Sequence, residues 1–177
     1  LDDAVLDNPP SHLVGRKVWR PEHTFAVVDH VNATDPRRPR GGAAKDAAIQ
    51  IDYFARNCRD FGIELFDLLD HRQGIEHVTF PEQGLILPGM IVVCGDSHTT
   101  THGALGALGF GIGTSEVEHA LATQTLVHRR LGTFRIVVEG LLGPGVTPKD
   151  LVMGVIERIG ASGAVDHAVE FSGAGTL

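Results

Sequence analysis

Short apolar runs alternate with amphipathic stretches along this chain. Phe25-Ala26-Val27-Val28 is β-prone and ends in Asp29-His30, which predicts a buried strand delivering two polar residues at its C-terminal edge. A polar loop rich in Pro and Arg follows from Thr34 to Gly42. Ala44, Ala47, Ala48, Ile51, Ala55 and Cys58 then recur at helical spacing, and Gly62 supplies a stop, so an amphipathic helix is predicted over 43–61. Ile63 to Leu69 reads as the next strand. Ile75 to Phe80 and Gly89 to Cys94 read as two more, separated by the turn signals Pro81 and Leu87-Pro88-Gly89. The second of these is continuously apolar, as a central strand would be. Ser115-Glu116-Val117-Glu118 fits a capping box opening a helix that runs to about His128. Phe134 to Val138 is a further strand, and Thr147, Pro148 and Asp150 supply a cap, an N1 proline and an N3 acid for a helix ending at Gly160. Strands alternating with helices predict a layered α/β fold with a largely parallel sheet flanked by helices, forming one domain or domain fragment over residues 1–177. No internal repeat interrupts this pattern.

Composition narrows the partners. A chain of 177 residues can bury a core, and a net charge of -7 argues against nucleic acid or an anionic membrane as the main partner. No apolar run approaches the ~20 residues that span a bilayer, and the acidic start Leu1-Asp2-Asp3 differs from a signal peptide, so the cytoplasm is the expected compartment. Cys58 and Cys94 are the only thiols, and neither lies in a Cys-x-x-Cys pair. A disulfide framework, a cysteine metal site and an iron-sulfur site are all unexpected from two such residues. The start without Met and the end at Gly173-Ala174-Gly175-Thr176-Leu177 read as a piece of something longer.

Most of the chemistry is concentrated in Cys94-Gly95-Asp96-Ser97-His98-Thr99-Thr100-Thr101-His102-Gly103. In open α/β sheets ligands gather at the carboxyl ends of strands, where Asp96, Ser97 and His98 would stand. Asp29 can orient His30 for proton transfer, or the pair can simply cap a loop. His77 within an apolar strand is either a hydrogen-bonded core residue or a catalyst. His98 and His102 are four apart, one face of a helix, and with Asp96 they could bind a divalent metal, although Thr99 to Thr101 is a poor helix former. Gly109-Phe110-Gly111-Ile112-Gly113 before a capped helix could admit a small anion, and close packing explains the same glycines. Arg37, Arg38 and Arg40 form either a carboxylate-recognising patch or a solvated loop.

The run from Cys94 to Thr99 and from Thr114 through Gln124-Thr125 resembles the aconitase superfamily, and within it the large subunits of 3-isopropylmalate dehydratases. Thr24-Phe25-Ala26, Asp29-His30, Phe61 to Leu65, Gly74 to Val78, Pro81 to Gly84 and Leu87 to Met90 support it, so the resemblance runs from about Gly15 to Phe171. It implies a hydro-lyase that isomerises 2-hydroxy dicarboxylic acids such as 3-isopropylmalate by dehydration and rehydration, as in leucine biosynthesis. A [4Fe-4S] cluster with one open iron would act as Lewis acid. By position, Asp29-His30 resembles the pair that protonates the departing hydroxyl, and His77 a histidine of the hydroxyl and water network. Asp96 and His98 resemble groups near the iron-bound water, and Ser97 a contact to a substrate carboxylate. A separate small subunit, carrying the general-base serine, is the implied partner.

The chain departs from that pattern in three places. The cluster ligands of the family lie in later Cys-Thr-Asn and Cys-x-x-Cys segments that do not occur here, and the segment with an active-site Asn and Glu is missing as well. Asn8-Pro9-Pro10-Ser11 stands where the family places a substrate-contacting Gln. The isolated chain is therefore expected to be inactive. The alternative expectation is a non-catalytic or cluster-free metal- or anion-binding paralogue of the same fold.

Overall fold

The computed structural model describes residues 17–33, 35, 37 and 45–176. Ala44, Arg38, Arg40 and the Asn8 to Ser11 segment lie outside the described residues. Two compact units make up the chain, residues 1–126 and 127–177.

In the first unit, β1 (Phe25–Val27) pairs in parallel with β2 (Glu64–Phe66), and α1 (Lys45–Phe61) connects them. A strand exposes alternate residues to opposite faces, and both faces of β1 are covered, which accounts for its unbroken apolar run. Ala26 and Val28 pack against Ile51, Phe54 and Cys58 of α1, while Val27 packs with Phe66 and Phe80 on the other side. The buried stripe of α1 is Ala47, Ile51, Phe54 and Cys58; Phe54 takes the place the spacing had assigned to Ala55. Gly62 ends the helix in the left-handed region, at φ 70°.

The segment read as a strand from Ile75 to Phe80 is instead a short helix, α2 (Glu76–Glu82). Its buried residues are Glu76, Thr79 and Phe80, a helical spacing that six residues of sequence could not distinguish from a strand. Ile75 at the cap gives no side-chain hydrogen bond. The Glu76 N–H donates instead to Asp29 Oδ2 at 2.9 Å, so a carboxylate 47 residues away caps α2. Gln73 Nε2 donates to the Val28 carbonyl at 2.6 Å and holds the same junction from the preceding loop.

β3 (Ile91–Cys94) pairs in parallel with β4 (Leu108–Gly111), a strand hidden in sequence by its glycines. Between them runs a 3-10 helix, Thr99–Leu105. The glycines allow a close approach: a Cβ on Gly111 would stand 2.6 Å from the Asp96 carbonyl oxygen, and one on Gly109 would overlap the Thr99 carbonyl. Close packing, against this loop, thus explains Gly109 and Gly111. α3 (Thr114–Thr123) starts earlier than its sequence pattern indicated, with Gly113 at the cap and Glu116 accepting the Gly113 N–H at 2.9 Å. It also stops five residues short of His128. Thr123 Oγ1 turns back to the His119 carbonyl at 2.7 Å, and Gln124 adopts φ 55°.

The second unit holds β5 (Gly132–Val137), α4 (Pro148–Ile159) and β6 (His167–Ser172). β5 and β6 pair in parallel over six residues, and β6 had no counterpart in the sequence pattern. α4 begins as predicted: Thr147 is the cap, its hydroxyl accepts from the Asp150 N–H, and Asp150 accepts the Thr147 N–H at 2.8 Å. The α/β class and parallel pairing are as expected. Among the described residues the strands form three separate pairs.

Gly111→Ala is expected to cost about 1–3 kcal/mol in urea denaturation by overpacking the loop. Gly103→Ala, where a Cβ meets nothing within 4 Å, is expected to stay within about 0.5 kcal/mol of the parent. Equal stabilities would show that the loop does not need a bare backbone at Gly111.

Candidate active site

The ends of β1 and β3 and the start of α2 carry one connected cluster of acids and imidazoles. Asp96, just after β3, is its centre and is buried. His98 Nδ1 lies 2.9 Å from Asp96 Oδ1, and the His98 backbone N–H also donates to that oxygen. His77 Nε2 stands 3.1 Å from Asp96 Oδ1, and His30 Nε2 stands 3.4 Å from Asp96 Oδ2. Burial by itself would raise the Asp96 pKa. The His98 N–H and the flanking His77 and His98 rings outweigh it and hold the carboxyl down at about 2. Asp96 is therefore an anion throughout the neutral range.

Asp29 works at both ends. One oxygen pairs with His30 Nδ1 and the other caps α2, which fixes the ring of His30 while leaving it half exposed. His77, in the first turn of α2, faces Asp96 with Nε2 and meets His102 Nε2 with Nδ1 at 3.1 Å. His102 comes from the 3-10 helix and is 2% exposed. Burial first, and the neighbouring His77 charge second, lower its pKa, so His102 is a neutral ring at pH 7. Ser97 is exposed at the rim, 3.5 Å from His98 Nδ1.

The structure thus brings Asp29, His30, His77, Asp96 and His98 together, with Ser97 beside them. It does not assemble the alternative metal set of Asp96, His98 and His102. A 3-10 helix has three residues per turn, so positions four apart diverge. His98 is accordingly exposed beside Asp96, while His102 points into the interior against His77. Sequence reasoning missed Glu76, which is 2% exposed, lies with Oε1 3.4 Å from His77 Nε2, and receives the Cys94 S–H at 3.1 Å. An acid inside the apolar Ile75 to Phe80 run was the available signal. Arg37 makes a local pair with Asp35 and is not part of the cluster. The N–H of Gly113, the cap of α3, is taken by Glu116.

Neither thiol is poised for nucleophilic or ligand chemistry. Burial first, then the Glu76 carboxylate, pushes the Cys94 thiol up to about 11, and burial in the core pushes Cys58 to about 12. No helix among the described residues is long and apolar enough to cross a membrane.

The sequence model of the aconitase family (aconitate hydratase) matches residues 11–177. The chain is 55% identical over 159 residues to the 3-isopropylmalate dehydratase large subunit 2 of Salmonella typhimurium, and shows the same identity over the same length to that of Salmonella choleraesuis. Each match takes in 90% of this chain and 34% of the relative, so the chain spans about a third of the length of these relatives.

Two measurements check the electrostatics. Iodoacetamide at pH 8 is expected to alkylate the native chain at least tenfold more slowly than the chain in urea, and equal rates would contradict protonated, buried thiols. His102 binds fewer protons folded than unfolded, so its contribution to stability is intact above about pH 6.5 and is lost as pH falls below that value. Urea midpoints are expected to drop between pH 7 and 5, and less so in His102→Gln.

Proposed function

The chain belongs to the aconitase family, and on that premise we propose that it supplies the acid-base side of a hydro-lyase site for 2-hydroxy dicarboxylic acids such as 3-isopropylmalate. The supporting observation is the Asp96 carboxylate set among three imidazoles, His30, His77 and His98. Dehydration breaks a C–O bond, and the departing hydroxyl needs a proton to leave as water. A second proton must be taken from the adjacent carbon as the double bond forms. Rehydration reverses these steps with the hydroxyl on the other carbon.

His30 is the proton donor in this reading. Asp29 holds its Nδ1, so Nε2, beside Asp96 Oδ2, is the working face. His77 and His98 fix the anionic Asp96 from the other oxygen and orient the hydroxyl or water it contacts. Ser97 contacts a substrate carboxylate from the rim. The group that removes the carbon-bound proton comes from a separate small subunit, which is the proposed partner, and the proposed setting is the cytoplasm.

The [4Fe-4S] cluster implied by the resemblance would supply a Lewis acid for the substrate hydroxyl. This chain's own thiols do not fit it. Cys58 is sealed in the core and Cys94 is hydrogen-bonded to Glu76, so neither presents a thiolate to a shared iron site. A cluster would need ligands other than these two, and the 177-residue chain alone is accordingly expected to be inactive.

A chimaera tests the proposal: this chain replaces the matching third of the Salmonella typhimurium large subunit 2, assayed with its small subunit on 3-isopropylmalate. Turnover within about tenfold of the parent is expected, with a loss of about 10²–10⁴-fold in kcat for His30→Ala. A folded, cluster-loaded chimaera with no turnover would reject the reading, as would full activity in His30→Ala.

A further inference from the structure

We propose that Glu76, His77 and Asp96 form a binding site for a single first-row divalent cation, zinc being the ion of choice for a test. One donor atom from each of the three lies within 4.8 Å of the others. His77 Nε2 stands 3.1 Å from Asp96 Oδ1 and 3.4 Å from Glu76 Oε1. Tetrahedral ligands bound at about 2.0–2.1 Å lie roughly 3.3–3.4 Å from one another, so the two separations at His77 are close to those of a ligand set.

A second, independent observation is the state of His77 Nε2. The ring is nine-tenths buried, and Nε2 makes no hydrogen bond of ordinary geometry although two carboxylate oxygens stand within 3.4 Å of it. A nitrogen so placed, close to two acids without a well-directed hydrogen bond to either, is a poor hydrogen-bonding arrangement and a good ligating one.

Each ligand is also held from behind. His77 Nδ1 meets His102 Nε2 at 3.1 Å, the outer-ring engagement that orients a metal-ligating imidazole. The His98 N–H holds Asp96, and the Cys94 thiol holds Glu76 at 3.1 Å. Three protein ligands leave a fourth position open to water or a carboxylate. One imidazole with two carboxylates suits zinc, cobalt(II) or iron(II); magnesium and calcium ask for more oxygens, and copper(I) for sulfur. An ion there would occupy His77 Nε2 and Asp96 Oδ1, and so would block the hydro-lyase roles proposed for these residues. The binding itself does not rest on that reading.

The metal-free 177-residue chain is titrated with zinc against a chromophoric chelator, and cobalt(II) is added separately to read its visible absorption. One ion per chain is expected, with cobalt bands of four-coordinate intensity. Affinity is expected to fall at least tenfold in His77→Gln and in Glu76→Gln, and to be unchanged in His119→Gln, an exposed imidazole on α3. Circular dichroism checks folding of each variant. Should His77→Gln fail to fold, imidazole nitrogen NMR of the unmodified chain gives the same answer, since zinc must shift His77 Nε2. Absence of saturable binding, binding that survives both substitutions, or zinc shifts confined to His98 and His119 would each overturn the proposal.

Discussion

A carboxylate taken out of water must find donors for its oxygens, and the first unit is organised around doing this for Asp96 and Asp29. Asp96 accepts from the His98 N–H of its own loop and forms ion-pair contacts with imidazoles from the ends of β1 and β3 and from α2. Asp29 divides its oxygens between His30 and the first amide of α2. Because these donors come from segments far apart in sequence, satisfying two acids fixes how β1, α2 and the loop after β3 meet. The same contacts that hold the fold together therefore define the polar cluster.

That arrangement leaves little tolerance in the backbone behind it. Asp96 can reach the imidazoles only if its loop lies directly on β4, which is why Gly109 and Gly111 carry no side chain. His102 is drawn inward by the tighter winding of the 3-10 helix and supports His77 from below as a neutral ring. Cys94, one residue before the turn, is kept as a thiol by burial and by Glu76.

Beyond the cluster, the apolar surface is incompletely covered. Ile91 is 72% exposed on β3 although parallel strands are ordinarily buried on both faces, and none of the described residues of the second unit is buried.

Several elements were legible from local pattern because their causes are local. The α1 stripe, the stop at Gly62, the Thr147-Pro148-Asp150 start of α4 and the polar turn at Asp96 to His98 rest on periodicity, capping and turn chemistry within a few residues. The family motif they resemble, more than their residue types, also marked Asp29, His30, His77, Asp96 and His98 as a set. Only the tertiary structure decided that Ile75 to Phe80 is a helix, since its cap is Asp29, 47 residues distant. Only it revealed β4, whose glycines carry no strand signal until a loop is seen lying on them. It likewise turned His102 away from His98 and brought Glu76 to His77, because long-range hydrogen bonding to buried acids outweighs the weak preferences of a short segment.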